Sequence, residues 1–136
     1  WHLKRIISIL QKDPSDMCIT MMGVAYRSEV SDTRNSASEI FYKQAKNIGI
    51  KLKVHDPHVT HWQEIDMGID PEIPILDGCD AIVFCVPHKY YRGLDLTSWV
   101  GEKNVLIYDC DKVLSSEQIA ELRMRKANLV LAGRGK

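Results

Sequence analysis

The sequence has 136 residues, of which 45% are hydrophobic, and its 18 basic residues balance its 18 acidic ones. This length is typical of one globular domain with a single core. The balanced charge argues against a nucleic-acid or anionic-membrane partner, since both favour a basic surface, and no apolar run is long enough to span a bilayer. Its four scattered cysteines are typical of reduced thiols in a cytoplasmic protein.

The chain begins with a helical pattern. The apolar residues that form one stripe are Leu3, Ile6, Ile7 and Leu10. No capping residue precedes them, so we interpret residues 1–12 as the end of a longer helix and the chain as a piece of a longer protein. Pro14 ends this helix, because proline cannot continue a helical backbone.

The stretch 23–38 joins a predicted buried strand, residues 18–22, to a predicted helix. We expect this helix to begin at Ser31 or Asp32, whose side chains can accept hydrogen bonds from first-turn amides, and to end at a left-handed Gly49. Loops at the carboxyl ends of strands form the ligand crevice of a parallel α/β sheet. The stretch 23–38 is therefore the first candidate for a binding loop.

Four more strands are predicted after this helix. They cover residues 50–54, 81–86, 105–109 and 129–131. Residues 81–86 are apolar throughout, as expected for a central parallel strand that is covered on both faces. Asp56 and Pro57 close the strand before them in a turn.

Helices and loops alternate with these strands. A short helix is predicted over residues 94–100, and a capping box at Ser115 opens another that runs to about Lys126. Residues 58–78 are expected to form a loop with one helical turn near His61 to Met67. The alternation predicts an α/β fold, a three-layer Rossmann-like sheet that is mostly parallel with helices on both faces.

A dinucleotide-binding turn is not expected. Such a turn needs three glycines in the pattern Gly-x-Gly-x-x-Gly, and only Gly23 is present. Asp56 ends the second predicted strand, where a dinucleotide site carries an acid. Because Pro57 follows it, a structural turn is the better interpretation.

The loop after the first strand carries two arginines. Guanidinium groups bind phosphate or carboxylate through paired hydrogen bonds. For Arg27, this role and an ion pair with Glu29 are equally open. Arg34 falls in the predicted first turn of the helix, where an ion pair with Asp32 or Glu39 is favoured.

Three histidines recur at intervals of three: His55, His58 and His61. This spacing raises the question of a metal site, but Pro57 lies among them, and surface histidines are the favoured interpretation. Cys79 and Cys85 lack the close pairing of zinc ligands. We therefore predict no metal site.

Several segments resemble the C-terminal, UDP-binding domain of UDP-glucose/GDP-mannose dehydrogenases. Gly23-Val24-Ala25-Tyr26-Arg27 is similar to the Gly-x-Ala-Phe/Tyr-Lys signature of that family, and residues 31–36 are similar to its Asp-x-Arg-Glu-Ser. Further similar segments lie at 54–57, 78–83, 94–96, 105–109 and 113–114. Residues 5–7 resemble the end of the long helix that joins the two halves of those enzymes.

The resemblance implies a part in catalysis rather than the whole of it. Members of the family oxidise the sugar C6 alcohol of a nucleotide sugar to a carboxylate in two NAD-dependent steps. Their NAD motif and nucleophilic cysteine lie upstream of the matched region. Residues 13–136 would therefore supply part of the UDP-sugar site and close the cleft, would be inactive alone, and would form a homo-oligomer within the full-length chain.

The resemblance also implies site residues. Tyr26 and Arg27 match the aromatic-lysine pair that reaches the sugar end of the substrate. Asp111 and Lys112 stand where the family usually has arginines, so a carboxylate replaces a cation that faces an anionic substrate. The residues expected to support the site structurally are Gly23, Asp32, Arg34 and Asp56.

Two other hypotheses remain. A degenerate, non-catalytic module that serves dimer or partner contacts is suggested by Asp111 and by the missing catalytic half. A stand-alone flavodoxin-like binding domain is the weaker alternative, because no acidic cluster follows the first strand.

Overall fold

A computed structural model describes residues 1–132 of the chain. The sequence predicts a tail after the last strand, at residues 133–136, which lie outside the described residues. The helices are α1 (His2–Leu10), α2 (Ala37–Asn47), α3 (Lys89–Arg92), α4 (Leu96–Val100) and α5 (Ser116–Met124). The strands are β1 (Cys18–Met22), β2 (Lys51–His55), β3 (His61–Trp62), β4 (Met67–Gly68), β5 (Ala81–Phe84), β6 (Leu106–Asp109) and β7 (Asn128–Leu131).

Five of the strands form one parallel sheet in the order β2-β1-β5-β6-β7. The strand that is apolar in sequence, β5, lies in the middle, and all of its residues are buried. Helices α1 and α2 pack on one face and α3, α4 and α5 on the other. The predicted three-layer α/β fold is confirmed. Within residues 1–132, no helix is both long and apolar enough to cross a membrane.

The direction of strand addition reverses between β1 and β5. From β1 the chain moves outward to β2, and it then returns to place β5, β6 and β7 on the other side. Ligands of open α/β sheets bind at such a switch point, beyond the carboxyl ends of the strands. Met22 pairs with Phe84, and Phe84 pairs with Asp109, so β1, β5 and β6 end level. The loops that follow these three strands therefore share one edge.

Helix α2 begins after Ser36, so the prediction of a start at Ser31 or Asp32 is wrong. The Ser36 hydroxyl accepts the Glu39 N–H over 3.1 Å and caps the helix. The Asp32 carboxylate instead accepts the Arg34 N–H over 3.0 Å, which closes a local turn outside the helix. An aspartate side chain can accept hydrogen bonds in a helix cap or in a turn, and Asp32 does so in a turn.

The predicted helical turn near His61 to Met67 is also wrong, because these residues form an antiparallel hairpin. In it, Trp62 of β3 pairs with Met67 of β4. The Trp62 side chain is fully buried, and its ring centroid lies 5.3 Å from that of Tyr42 in α2. Tertiary burial of a large aromatic side chain therefore decides the local structure of this segment.

Candidate functional site

Gly23 lies at the point where the loop after β1 meets the loop after β5. Its φ is +107°, and a Cβ built there would lie 2.7 Å from the Val86 Cβ and 2.9 Å from the Val86 nitrogen. Only glycine adopts this conformation readily and allows so close an approach. The Ser38 hydroxyl of α2 donates to the Gly23 carbonyl over 2.8 Å. Gly23 therefore joins two loops and a helix at the switch point.

Asp56, at the end of β2, organises the same loops. One carboxylate oxygen accepts the Val24 and Ala25 N–H groups over 2.8 and 3.1 Å, and the other accepts the His58 N–H over 2.8 Å. The Asp56 side chain has no exposed surface. The turn predicted at this position is thus held by a buried carboxylate that also fixes the start of the β1 loop.

His88 completes the arrangement. Its Nε2 lies 2.9 Å from the Asp56 carboxylate, and its Nδ1 accepts the Glu29 N–H over 3.0 Å. Nε2 therefore carries the ring hydrogen and donates a hydrogen bond to Asp56. Burial acts to raise the pKa of Asp56, but the hydrogen bonds from His88 and from the Val24 amide outweigh it and lower that pKa. Sequence reasoning missed His88; the available signal was its position just beyond an apolar strand.

Glu29 links the β1 and β5 loops through its carboxylate. One oxygen lies 3.4 Å from the His58 Nε2 and 3.7 Å from the His88 Nδ1, and it accepts the Lys89 N–H over 2.8 Å. In the described part of the chain, only Glu29, His58 and His88 group their ligand atoms closely enough to hold a metal ion. Because the His88 Nδ1 already accepts a backbone N–H, the arrangement favours a hydrogen-bond network over a metal site.

The three histidines of the sequence pattern do not act together. His58 and His61 are exposed, as the surface interpretation predicts. For His55 that interpretation is wrong: its side chain is buried, with Nδ1 3.0 Å from the Tyr91 hydroxyl and Nε2 3.3 Å from the Pro71 carbonyl. Burial lowers the pKa of His55, which favours the neutral ring.

Tyr26 and Arg27 lie on the exposed part of the β1 loop. Tyr26 is 51% exposed, and the Arg27 guanidinium lies 5.7 Å from the centroid of its ring. The alternative ion pair between Arg27 and Glu29 does not form, and no other acid pairs with Arg27 in residues 1–132. A ligand at this loop therefore meets an aromatic ring and an uncommitted guanidinium group.

Arg34 forms the ion pair with Asp32 that was favoured from the sequence. Its Nε and one terminal nitrogen donate to the two carboxylate oxygens over 3.0 and 2.7 Å. These bonds lower the pKa of Asp32 to about 2. Because this bidentate pair occupies one edge of the guanidinium, Arg34 is committed to the local turn, whereas Arg27 has no acidic partner among the described residues.

The loop after β6 is organised by a second buried acid, Asp109. Its carboxylate accepts the N–H groups of Asp111, Val113 and Leu114 over 3.1, 2.9 and 3.0 Å. Asp111 and Lys112 are exposed, and Lys112 has a φ of +54°. Burial and the neighbouring Asp109 charge raise the pKa of Asp111, while Lys112 opposes that shift.

The expected site residues fall into two groups along one edge of the sheet. Gly23 and Asp56 meet where the β1, β2 and β5 loops converge, and Tyr26 and Arg27 extend from that junction. Asp111 lies on the β6 loop and lines a cavity of about 210 Å³ beside the first turn of α2. Strand β5 lies between β1 and β6, so it separates the loops that carry these two groups.

The fold and these loops define a doubly wound α/β domain, and ligands of such domains bind at the switch point of the sheet. Residues 20–116 match the UDP binding domain of the UDP-glucose/GDP-mannose dehydrogenase family, and the chain belongs to this family. The resemblance read from the sequence is confirmed. The matched range contains the loops after β1, β2, β5 and β6.

Relatives of the chain are nucleotide-sugar dehydrogenases. It is 30% identical over 87 residues to UDP-N-acetyl-D-mannosamine dehydrogenase of Pyrococcus horikoshii, covering 62% of the chain and 19% of that protein. It is 29% identical over 108 residues to UDP-glucose 6-dehydrogenase of Gallus gallus, covering 67% of the chain and 22% of that protein. The chain therefore spans about a fifth of the length of these relatives.

Solved structures show the same fold. UDP-D-ManNAc dehydrogenase from Pyrococcus horikoshii has a TM-score of 0.71 at 22% identity, covering 98% of this chain and 29% of that one. NDP-N-acetyl-D-galactosaminuronic acid dehydrogenase from Methanosarcina mazei Go1 has a TM-score of 0.72 at 22% identity. The match covers 97% of this chain and 28% of that one. These two neighbours differ in the sugars that their names give.

Proposed function

We propose that this chain is the C-terminal substrate-binding domain of an NAD-dependent UDP-sugar 6-dehydrogenase of the UDP-glucose type. Residues 1–12 are the end of an inter-domain helix, and residues 13–136 bind the UDP-sugar and close the cleft. The observation that carries the proposal is the family match over residues 20–116, which includes the loops at the switch point. The whole protein would act as a cytoplasmic homo-oligomer in polysaccharide biosynthesis.

The work of the proposed enzyme is divided between segments. NAD accepts the hydride, and its site and the nucleophilic cysteine belong to a preceding part of a longer chain, since only Gly23 of the dinucleotide glycine pattern is present here. The residues of this chain bind and orient the substrate. The Arg27 guanidinium donates hydrogen bonds to polar groups of the UDP-sugar, and the Tyr26 ring shields them from water.

Arg27→Ala is expected to weaken UDP-sugar binding by about 1.5–3 kcal/mol, the contribution of a hydrogen bond to a charged group. This corresponds to a rise in Kd of about tenfold to about 150-fold. The full-length protein would be titrated with UDP-glucose and with UDP-N-acetylmannosamine by isothermal titration calorimetry. Both ligands are used because the relatives include enzymes named for each sugar.

Arg34→Ala is the matched control for this experiment. It removes the same charge from the same loop, but Arg34 is paired with Asp32 and no ligand contact is assigned to it. Its Kd should equal that of the wild type. An Arg27→Ala variant with unchanged affinity would remove Arg27 from the site, and equal losses in both variants would indicate a general effect of positive charge.

Asp111→Asn is expected to strengthen UDP-sugar binding about fivefold, because two like charges about 4 Å apart repel by roughly 1 kcal/mol in water-like surroundings. The raised pKa of Asp111 gives a second readout: wild-type affinity should increase as the pH falls towards that pKa, since the carboxylate becomes neutral. The variant should lack this increase. Asp77→Asn, an exposed acid before the amino end of β5, is the control and should change neither quantity.

A degenerate module used for dimer or partner contacts is the second candidate function. The observation that favours it is Asp111, an exposed carboxylate on the loop where the family usually has arginines. This candidate predicts no detectable UDP-sugar binding by the full-length protein together with a stable dimer in sedimentation. Binding that depends on Arg27 would exclude it.

A further inference from the structure

Two cysteines occupy equivalent positions at the carboxyl ends of neighbouring strands. Phe84 of β5 pairs with Asp109 of β6, and the Cys110 N–H donates to the Phe84 carbonyl over 3.0 Å, so the ladder continues one residue beyond both strands. Cys85 and Cys110 therefore lie side by side. In-register residues of parallel strands point to the same face of the sheet, and neighbouring strands are about 4.8 Å apart. A disulfide spans about 4.4–6.8 Å between Cα atoms.

The two cysteines are neighbours across the sheet, because the register that pairs Phe84 with Asp109 places Cys85 beside Cys110. The Cys85 S–H donates to the Val83 carbonyl over 3.6 Å. The neighbouring Cys85 side chain, together with burial, raises the pKa of the Cys110 thiol. Cys110 is therefore a poor first nucleophile, and we assign the first attack to Cys85.

Both cysteines border an open space. Cys85 and Cys110 line the cavity of about 210 Å³, with Ala37, Ser38 and Phe41 of α2 forming another wall. Both cysteines are half-buried rather than enclosed in the core. A small reagent in solution can therefore approach the pair without unfolding the sheet.

We propose that Cys85 and Cys110 are a reversible oxidative modification site that closes to an intramolecular disulfide by exchange with a low-molecular-weight disulfide. The Cys85 thiol releases its proton to solvent and attacks one sulfur of the reagent, whose S–S bond breaks and releases one thiol. Cys110 then loses its proton, attacks the Cys85 sulfur of the mixed disulfide and releases the second thiol. Two protein thiols are oxidised by two electrons, and the reagent disulfide is reduced to two thiols.

The pair differs from the other two cysteines. Cys18 lies at the amino end of β1, and Cys79 precedes β5 and contacts the Thr20 hydroxyl over 3.4 Å. These two residues lie at the amino ends of the strands, whereas Cys85 and Cys110 lie at the carboxyl ends. They provide matched controls because they are half-buried like Cys85 and Cys110. The proposal concerns the thiols alone and does not rest on the proposed function.

The test is to incubate the folded full-length protein with excess oxidised glutathione, quench it in acid, alkylate it with N-ethylmaleimide and map the peptides by mass spectrometry. The wild type and Cys18→Ser should each lose the free thiols of Cys85 and Cys110 and yield one linked peptide pair, lighter by two hydrogen atoms. Dithiothreitol should restore both thiols. Cys110→Ser should stop at a glutathione adduct on Cys85.

Three outcomes would overturn the proposal. The first is a wild type that keeps both thiols while circular dichroism shows it folded. The second is a glutathione adduct on Cys85 that does not proceed to the linked peptide although Cys110 is present. The third is a link that forms only in urea, since that bond would belong to the unfolded chain.

Discussion

Asp56→Asn is expected to lower the free energy of unfolding by about 3–5 kcal/mol at neutral pH, because a hydrogen bond to a charged group contributes about 1.5–3 kcal/mol and the variant weakens more than one of them. The Asp56 carboxylate receives four N–H groups, from Val24, Ala25, His58 and the ring of His88. Asparagine offers one oxygen in place of two, and its amide group would face some of these donors. Urea unfolding followed by circular dichroism measures the change.

The pH dependence of stability gives an independent check on Asp56. Its pKa in the folded chain lies below the ordinary value of 3.8, so its stabilising contribution is complete above about pH 3.8 and is lost as the pH falls further. The wild type should therefore lose stability over this acidic interval, and Asp56→Asn should lose less.

Two further variants separate the buried network from surface charge. Asp32→Asn removes a carboxylate whose partner, Arg34, is 79% exposed, and it should leave stability nearly unchanged. His88→Gln removes one of the four donors to Asp56 and should cost about 1.5–3 kcal/mol. Asp56→Asn with the stability of the wild type would contradict the role assigned to this carboxylate.

Gly23→Ala is expected to destabilise the fold by about 2–5 kcal/mol. About 1–3 kcal/mol of this comes from forcing a methyl group into a filled space, since the new Cβ would lie 2.7 Å from the Val86 Cβ. About 1–2 kcal/mol comes from placing an alanine at a positive φ. The new methyl group also pushes the β1 and β5 loops apart, so UDP-sugar affinity should fall together with stability.

Gly78→Ala is the matched control for steric crowding. Gly78 also has a positive φ, +73°, but a Cβ there would meet nothing within 4 Å. Gly78→Ala should therefore lower the free energy of unfolding only by the cost of placing an alanine at a positive φ, about 1–2 kcal/mol. The difference between the two variants in urea unfolding measures the close approach of Gly23 to Val86, and equal losses would contradict that contribution.

Local sequence patterns were sufficient for most of the regular elements. The apolar run 81–86 predicts the central strand, because a strand that is covered on both faces carries apolar side chains on both faces. The capping box at Ser115 predicts the start of α5, because its two hydrogen bonds involve residues only three positions apart. The pairing of Arg34 with Asp32 was predicted for the same reason of short range.

Other features depended on which strands become neighbours. Sequence patterns indicate where strands lie but not their order, so they gave no reason to join Asp56 to His88, which is 32 residues away, or Cys85 to Cys110. The start of α2 was predicted wrongly because an Asp32 side chain can either cap a helix or close a local turn, and in the structure it closes the turn.

The sequence by itself determined the family, the alternation of strands and helices, and the exposed candidates Tyr26 and Arg27. The tertiary structure decided which acids are structural and which are exposed to a ligand, placing Asp56 and Asp109 in the interior and Asp111 at the surface. The physical reason is that burial and hydrogen-bond partners follow from sheet order, and chain segments distant in sequence meet only after the sheet has formed.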